Sequence, residues 1–477
     1  MLNKALCVEK LIPVLLILVI TVSVSEAFAD SNSAGFTNAI GVSSPSGNST
    51  LPQLIVSGDN VYVGWVDNSV GKFGVMFAKS NDGGSSFGKQ VDLGNVNAGA
   101  PDNLKIAESQ GKIYAVWQSF LANKSSIAFA KSSDNGTTFM PAIEVSDDSK
   151  DSAFPQVTVS DNHVYVVWIE RTPGDITNIV FAKSDDGGTT FGTPVTITSH
   201  AVGNVGIPKI SANGNHVYLM WEDNSAKNYD VFLSSSNDSG NTFSSIPINI
   251  SNNAGDSGAS QMTVDGNNIY AVWMDDTPGN FDILFSKSTD GGATFAAPVN
   301  VSGNSQDSGY PQFVVTGNNI YVTWTNAVSD KNYDILFAKS SDGGQTFGTP
   351  INISNTSGAS GWPQISTDSG NVYISWVDNT PGNYDIYIAK SADDGNSFES
   401  PVDMNSGTYG SWYNRMASVS NTVYVVWQQA NNGSNDIMFS KSTTFVPEFG
   451  PITPLVLVVS ILSIIAISQK SILKTRF

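Results

Sequence analysis

Seven aspartates, Asp82, Asp134, Asp186, Asp238, Asp290, Asp342 and Asp393, stand at the centre of one motif, Ser-x-Asp-x-Gly-x-(Ser or Thr)-Phe, repeated near every 52 residues. Their neighbours favour turn capping over proton transfer. The carboxylate can accept hydrogen bonds from the backbone of its own turn, the glycine tolerates a positive φ, and Phe87 and its equivalents can plug the gap between sheets. A second set of acids, Glu170, Asp223, Asp275 and Asp378, follows tryptophan-ended strands, with Asp67 and Asp276 of the same class. Glycoside hydrolysis would need two carboxyl groups facing each other at about 5 to 10 Å, one with a raised pKa. These acids recur by repeat, so no pair is singled out. They also lack the dense ligand spacing of a calcium loop, and neither a metal nor a cofactor is expected.

The aromatic residues vary where the acids do not. Leu51, Phe154, Ile207, Tyr310, Trp362 and the Trp412-Tyr413 pair precede successive strands, and beside them run Gln53, Asp102, Gln156, Lys209, Gln261, Gln312 and Gln364. An aromatic and amide surface of this kind suits stacking on sugar rings or gripping a peptide. Phe154, Tyr310, Trp362, Trp412 and Tyr413 with Gln156, Gln312 and Gln364 form the candidate ligand-binding set. The alternative is architectural: the rings cover blade edges and the amides satisfy strand ends.

The elements that must position these residues are short strands. Trp65, Trp117, Trp168, Trp221, Trp273, Trp324, Trp376 and Trp427 lie 51 to 53 residues apart, each closing a run such as Val61-Tyr62-Val63-Gly64-Trp65. One copy reads as four strands, Pro311 to Thr316, Ile320 to Trp324, Tyr333 to Lys339 and Pro350 to Ser354, punctuated by Gly-, Asn- and Pro-rich turns. A repeat of that size matches one four-stranded propeller blade, and no linker separates the copies. The expected fold is therefore all-β, a single propeller over residues 30–445, with eight blades, or seven if one hairpin lies outside the ring. The eighth copy stops at Phe445 without a fourth strand. Phe36 to Ser43 matches Phe347 to Ser354, so the N-terminal strand is expected to complete the last blade.

Both ends carry targeting features. Residues 1–29 have Lys4 and Lys10, an apolar run from Leu11 to Val24 and Ala27-Phe28-Ala29, the pattern of a secretory signal peptide. The only cysteine, Cys7, falls within it, so no disulfide is expected in the mature chain. In residues 446–477, Pro447-Glu448-Phe449-Gly450 precedes an apolar stretch from Ile452 to Ile467 and the basic Lys470, Lys474 and Arg476. This is the order of a membrane segment with a cytoplasmic tail, the propeller lying outside. The formal net charge is −19, and five of the 23 basic residues lie in these terminal segments, which disfavours nucleic acid as a ligand.

The C-terminal arrangement closely resembles the PEFG-type sorting signals of ammonia-oxidising archaea, which implies an archaeosortase-like processing enzyme as a partner and anchoring at the cell surface. The Asp82-type motifs resemble the Asp boxes of the bacterial sialidase repeat family, which implies a rim position and a structural role for the seven aspartates. That family's carboxylate clamp needs three arginines. This chain has only Arg171, Arg415 and Arg476, so sialidase activity is not implied. The reading that follows is a cell-surface recognition or structural propeller binding an extracellular glycan, peptide or envelope protein. The alternative is a glycoside hydrolase with an untypical site.

Overall fold

The computed structural model describes residues 35–445, apart from 46, 68–73, 95–98, 122–123, 175, 199–201, 278, 304–305, 330–331 and 406–408. The signal-peptide, PEFG and membrane-segment expectations fall outside the described residues. Within them there is no helix, and the strands form eight four-stranded antiparallel sheets arranged as the blades of a propeller. Blade 1 consists of Thr50–Ser57, Asn60–Asp67, Gly74–Ser80 and Val91–Asp92, and blades 2 to 7 repeat this order from Ala100 to Asp403. The seven-blade alternative is excluded, because every tryptophan hairpin belongs to a sheet.

Blade 8 closes the ring as the sequence predicts. Its strands Ser411–Val419, Thr422–Asn431 and Ser434–Ser442 are completed on the outside by Ile40–Gly41, with Ile40 opposite Phe439 and Gly41 opposite Met438. The pairing extends past the strand: Thr37 N–H donates to Lys441 O at 2.9 Å and Val42 N–H to Ile437 O at 2.7 Å. Ser43 Oγ accepts from Ile437 N–H at 2.9 Å, the bond that Ser354 Oγ makes to Ile335 N–H in blade 6. Phe36 is fully buried against Phe445 between blades 7 and 8, with ring centroids 5.1 Å apart.

The second strand of each blade is the most buried because both of its faces meet neighbouring blades. All eight tryptophans are at most 1% exposed and lie in separate inter-blade clusters with valines and isoleucines. Burying an indole also buries its N–H, and the sequence supplies an acceptor in half of the blades. Trp65, Trp221, Trp273 and Trp376 donate to the aspartate two residues on, at 2.9 to 3.4 Å. Blades with another residue at that position leave Trp117, Trp168, Trp324 and Trp427 Nε1 without a bond.

The aspartate motifs form the turns between third and fourth strands. In the first copy Asp82 accepts from Ser80 Oγ at 2.6 Å, Ser86 N–H at 2.9 Å and Ser86 Oγ at 2.6 Å, and these hydroxyl and amide bonds hold its carboxyl well below the ordinary range. Each turn also locks onto the preceding blade. Gly344, at φ +90°, sits so close to Phe285 that a Cβ there would lie 2.2 Å from the ring, and Phe347 packs edge-on to the same ring. Lys131 Nζ reaches from blade 2 to Gly187 O of the blade 3 turn at 3.0 Å.

Blade 7 alters a pairing that three other blades share. In blades 4, 5 and 6 a buried aspartate at the start of the third strand accepts from an asparagine on the fourth, as Asn300 Nδ2 donates to Asp282 at 2.7 Å. Blade 7 has Asp403 in the asparagine's place, opposite Tyr387 in the ladder. Burial, then the neighbouring Asp403 carboxylate, pushes Asp385 up to about 7, and Asp403 is itself raised by burial.

Two outcomes follow from this packing. Phe36→Ala is expected to destabilise the protein by about 3–5 kcal/mol in urea unfolding, the cost of emptying a core aromatic site, and a loss below about 1 kcal/mol would contradict closure by this segment. A raised carboxyl pKa stabilises the fold at low pH and loses that contribution as pH rises through the folded-state value, here about 7. Asp403→Asn, which restores the pairing of blades 4 to 6, should therefore raise stability at pH 8 by about 1 kcal/mol and flatten the pH dependence between pH 5 and 8 in thermal denaturation.

Candidate functional site

The loops after the second strands and the connections into the first strands share one face of the ring, opposite the aspartate turns. The connections pair with those loops, as in Asp276 N–H to Asp256 O and Ala327 N–H to Asp307 O. The first strands lie innermost in every blade, and contacts between Ser411–Val419 and Thr50–Ser57 bring the first strand of blade 8 beside that of blade 1. This face therefore surrounds the mouth of an axial channel.

The candidate aromatics reach the mouth through a repeated irregularity. In seven blades the register of the first strand slips by one residue in a β-bulge, for example between Gly309 and Gln312 opposite Thr325 and Thr323. The first bulge residues are Leu51, Asn103, Phe154, Ala259, Tyr310, Trp362 and Tyr413, all with φ between 49° and 56°. For bulky side chains this left-handed backbone costs roughly 1–3 kcal/mol each, and it is retained where the ring projects into solvent. Tyr310 is 62% exposed, Trp362 53%, Tyr413 47% and Phe154 37%. Four of the seven bulges place proline next, at Pro52, Pro155, Pro311 and Pro363, where the interrupted ladder needs no N–H. Side chains brace the others: within blade 2 Gln118 Oε1 accepts from Asn103 Nδ2 at 2.9 Å, and from the preceding blade Glu222 Oε1 accepts from Ser260 N–H at 2.7 Å and Ser375 Oγ from Asn414 Nδ2 at 2.8 Å.

The bulges single out which predicted residues belong together. Phe154, Tyr310, Trp362 and Tyr413 occupy equivalent positions. Trp412 does not, because it stands one residue before the bulge and packs on Tyr384 at 6.4 Å in the cluster between blades 7 and 8. Ile207 is exposed but has no bulge, since the first strand of blade 4 begins only at Lys209. Clefts open beside two of the aromatics. Tyr310 lines one of about 670 Å³ with Phe281, Asp307 and Tyr333, and Phe154 lines one of about 490 Å³ with Arg171, Asn204 and Tyr229. Clefts also run between the aspartate turns on the far face, but there the polar groups, such as Asp342 bonded to Thr346 and Ser340, are already paired within the turn.

Below the bulges lies a ring of polar side chains, one per blade and each in register with the residue before the tryptophan: Gln53, Lys105, Gln156, Lys209, Gln261, Gln312, Gln364 and Arg415. Gln156, Gln312 and Gln364 take the place expected of them. Asp102 does not; it lies above the blade 2 bulge, and Lys105 holds its position. Lys105 and Arg415 were missed, although a signal exists: all eight residues stand twelve before their tryptophans, as Lys105 does before Trp117 and Arg415 before Trp427. Several of these side chains tie the ring to the bulges, with Gln53 Nε2, Gln364 Nε2 and Arg415 Nη1 donating to the carbonyls of Pro52, Pro363 and Asn414 at 2.8 to 3.0 Å.

The carboxylates expected around the mouth are, with one exception, withdrawn from it. Asp67, Asp223, Asp275 and Asp378 are at most 3% exposed, held by the buried indoles and by nearby hydroxyls such as Ser257 Oγ on Asp275 at 2.8 Å. Burial alone would raise Asp275 and Asp378, but hydrogen bonds from Thr277, Asn253 and Ser257, and from Thr380, Ser360 and Thr356, outweigh it and lower both. A general acid needs the opposite shift. Glu170 is 8% exposed and paired with Lys150 at 3.2 Å. Asp276, which accepts from Asp256 N–H at 2.7 Å, alone stays at the surface. Among the described residues no group of acids, histidines or cysteines is arranged to hold a metal.

No protein-family model matches this chain, and no curated protein matches it in sequence. Similar solved structures include a polysaccharide lyase of family PL25, an ulvan lyase, at 13% identity over 86% of this chain and 94% of the lyase, with a TM-score of 0.49. A Trypanosoma rangeli sialidase is similar at 13% identity over 63% of this chain and 55% of the sialidase, with a TM-score of 0.36. A protein of unknown function from Dyadobacter fermentans is similar at 15% identity over 62% of this chain and 95% of its own, with a TM-score of 0.39. At these identities and scores, neither a substrate nor a site residue passes from any of them to this chain.

Proposed function

We propose that this protein is an extracellular recognition propeller that binds a glycan across the mouth of its axial channel. The observation that carries the reading is the set of exposed rings Phe154, Tyr310, Trp362 and Tyr413 on strained bulges. An exposed aromatic at one blade would be incidental. Four at equivalent positions around one opening, held in a costly backbone conformation, form a stacking surface for sugar rings, and the amides of Gln156, Gln312 and Gln364 below them offer both donors and acceptors for hydroxyls.

The secretory features of residues 1–29 and the resemblance of the tail to PEFG-type signals support a mouth outside the cell, with an archaeosortase-like enzyme as the processing partner and the C-terminal segment as membrane contact. The seven aspartate turns serve the ring as structural Asp boxes. The glycoside hydrolase alternative is weaker, because the acids that would serve it are buried, bonded and, for Asp275 and Asp378, lowered in pKa.

Trp362→Ala in the full-length chain is expected to weaken glycan binding about tenfold, the loss of one aromatic contact worth about 1–2 kcal/mol, with the thermal transition retained. A glycan array read against immobilised wild type and variant measures this. Equal binding by both would remove Trp362 from the site, and turnover of any arrayed glycan that is abolished by Asp276→Asn would favour the enzyme.

A further inference from the structure

The polar ring of the axial channel is uneven. Five positions are glutamine, and the remaining three, Lys105, Lys209 and Arg415, are cations on blades 2, 4 and 8. Counted around an eight-fold ring these are alternate corners, with Lys105 one corner from each of the others and Gln312 of blade 6 at the fourth. The electrostatics agree with that placement. Lys105 is lowered by the positive charges of Arg415 and Lys209 although neither belongs to a neighbouring blade, in keeping with the shared register position of the three on the innermost strands.

This arrangement is unfavourable without a counter-charge. Burial and the two flanking cations push Lys105 down to about 8, and burial also lowers Lys209 and Arg415. The nearest acids act only at a distance: Asp102 attracts Lys105 and Glu222 attracts Lys209, but neither pair is in salt-bridge contact among the described residues. Asp102 spends one carboxylate oxygen on Asn103 N–H at 2.8 Å, and Glu222 one on Ser260 N–H at 2.7 Å. Structure alone does not require cations here, since glutamine fills the same position in the other blades.

We propose that Lys105, Lys209 and Arg415 form an oxyanion-binding site in the axial channel, which receives a carboxylate or sulfate substituent of a saccharide held at the mouth. The saccharide part rests on the glycan-binding reading above; the oxyanion part does not. In a chain of formal net charge −19 a polyanion is repelled at long range, whereas a single oxyanion lowered between three converging cations gains their attraction where water is partly excluded. Arg415 adds a planar donor pair suited to two oxygens of one group.

The test is titration calorimetry of the full-length chain with sodium sulfate, D-glucuronate and methyl glucoside, at pH 7 and pH 9. The variants are Lys105→Gln and Lys209→Gln, which install the residue that five blades already carry and so preserve the ring's packing. Sulfate and glucuronate should both bind wild type at pH 7, at least tenfold more weakly to either variant, with the thermal transition unchanged. Wild-type affinity should fall at pH 9 as Lys105 loses its proton, a dependence absent from Lys105→Gln. Sulfate binding without glucuronate binding would assign the site to sulfate esters, and the converse to uronates; either supports it. Anion affinity that is absent in wild type, or equal in wild type and both variants, overturns the proposal. If sulfate binding depends on Lys105 while no arrayed glycan binds, the glycan reading fails and the oxyanion site stands. If Trp362→Ala abolishes glycan binding while the lysine variants leave glucuronate unaffected, the reverse holds.

Discussion

Each blade is apolar on both faces, and neither face can remain in water. That constraint governs the molecule. A sandwich buries two inner faces and leaves two outside; here each sheet is covered on one side by the preceding blade and on the other by the next, which is satisfied for all eight only if the ring closes. Closure depends on residues about 400 positions apart, Ile40–Gly41 against Met438 and Phe439, so the last blade cannot form until the first part of the chain returns to it. The Asp82-type turns act on the same constraint from the rim, since their glycines and phenylalanines fit the ring of the preceding blade while lysines such as Lys131 bond across the gap.

Within so repetitive a scaffold, departures from the repeat are informative. The tryptophan indoles show one kind: where aspartate follows two residues later the buried N–H is bonded, and where it does not the N–H is left without a partner. Asp403 shows another, a carboxylate where blades 4 to 6 carry an amide, which leaves a second negative charge near Asp385 in place of a hydrogen-bond donor. The channel mouth shows a third. The bulge backbone recurs in seven blades, but its side chain changes from alanine to tryptophan, so architecture fixes the conformation and leaves the surface free to differ around the ring.

Charge is distributed by the same logic. Acids are numerous, yet those nearest the mouth are used internally by indoles and hydroxyls, while three cations occupy the channel itself. The result is an acidic exterior with a locally positive interior, a contrast that net charge conceals.

The sequence by itself determined the blade, the blade number and the closing strand, because strand periodicity, turn residues and the tryptophan spacing are local signals repeated eight times. It also grouped Phe154, Tyr310, Trp362 and Tyr413 with Trp412 and Ile207, and the bulges separated the last two from the others. Strand limits were less legible: the first strand of blade 6 starts at Ser308 rather than Pro311, since a bulge at Tyr310 interrupts the ladder without ending it. Only the tertiary structure decided where side chains point. Asp275 and Asp378 belong to loops by sequence, yet folding turns them inward onto indoles. Lys105, Lys209 and Arg415 are separated by more than a hundred residues and are brought together solely because the ring places their blades around one axis. Direction and convergence arise from packing between blades, which no local pattern encodes.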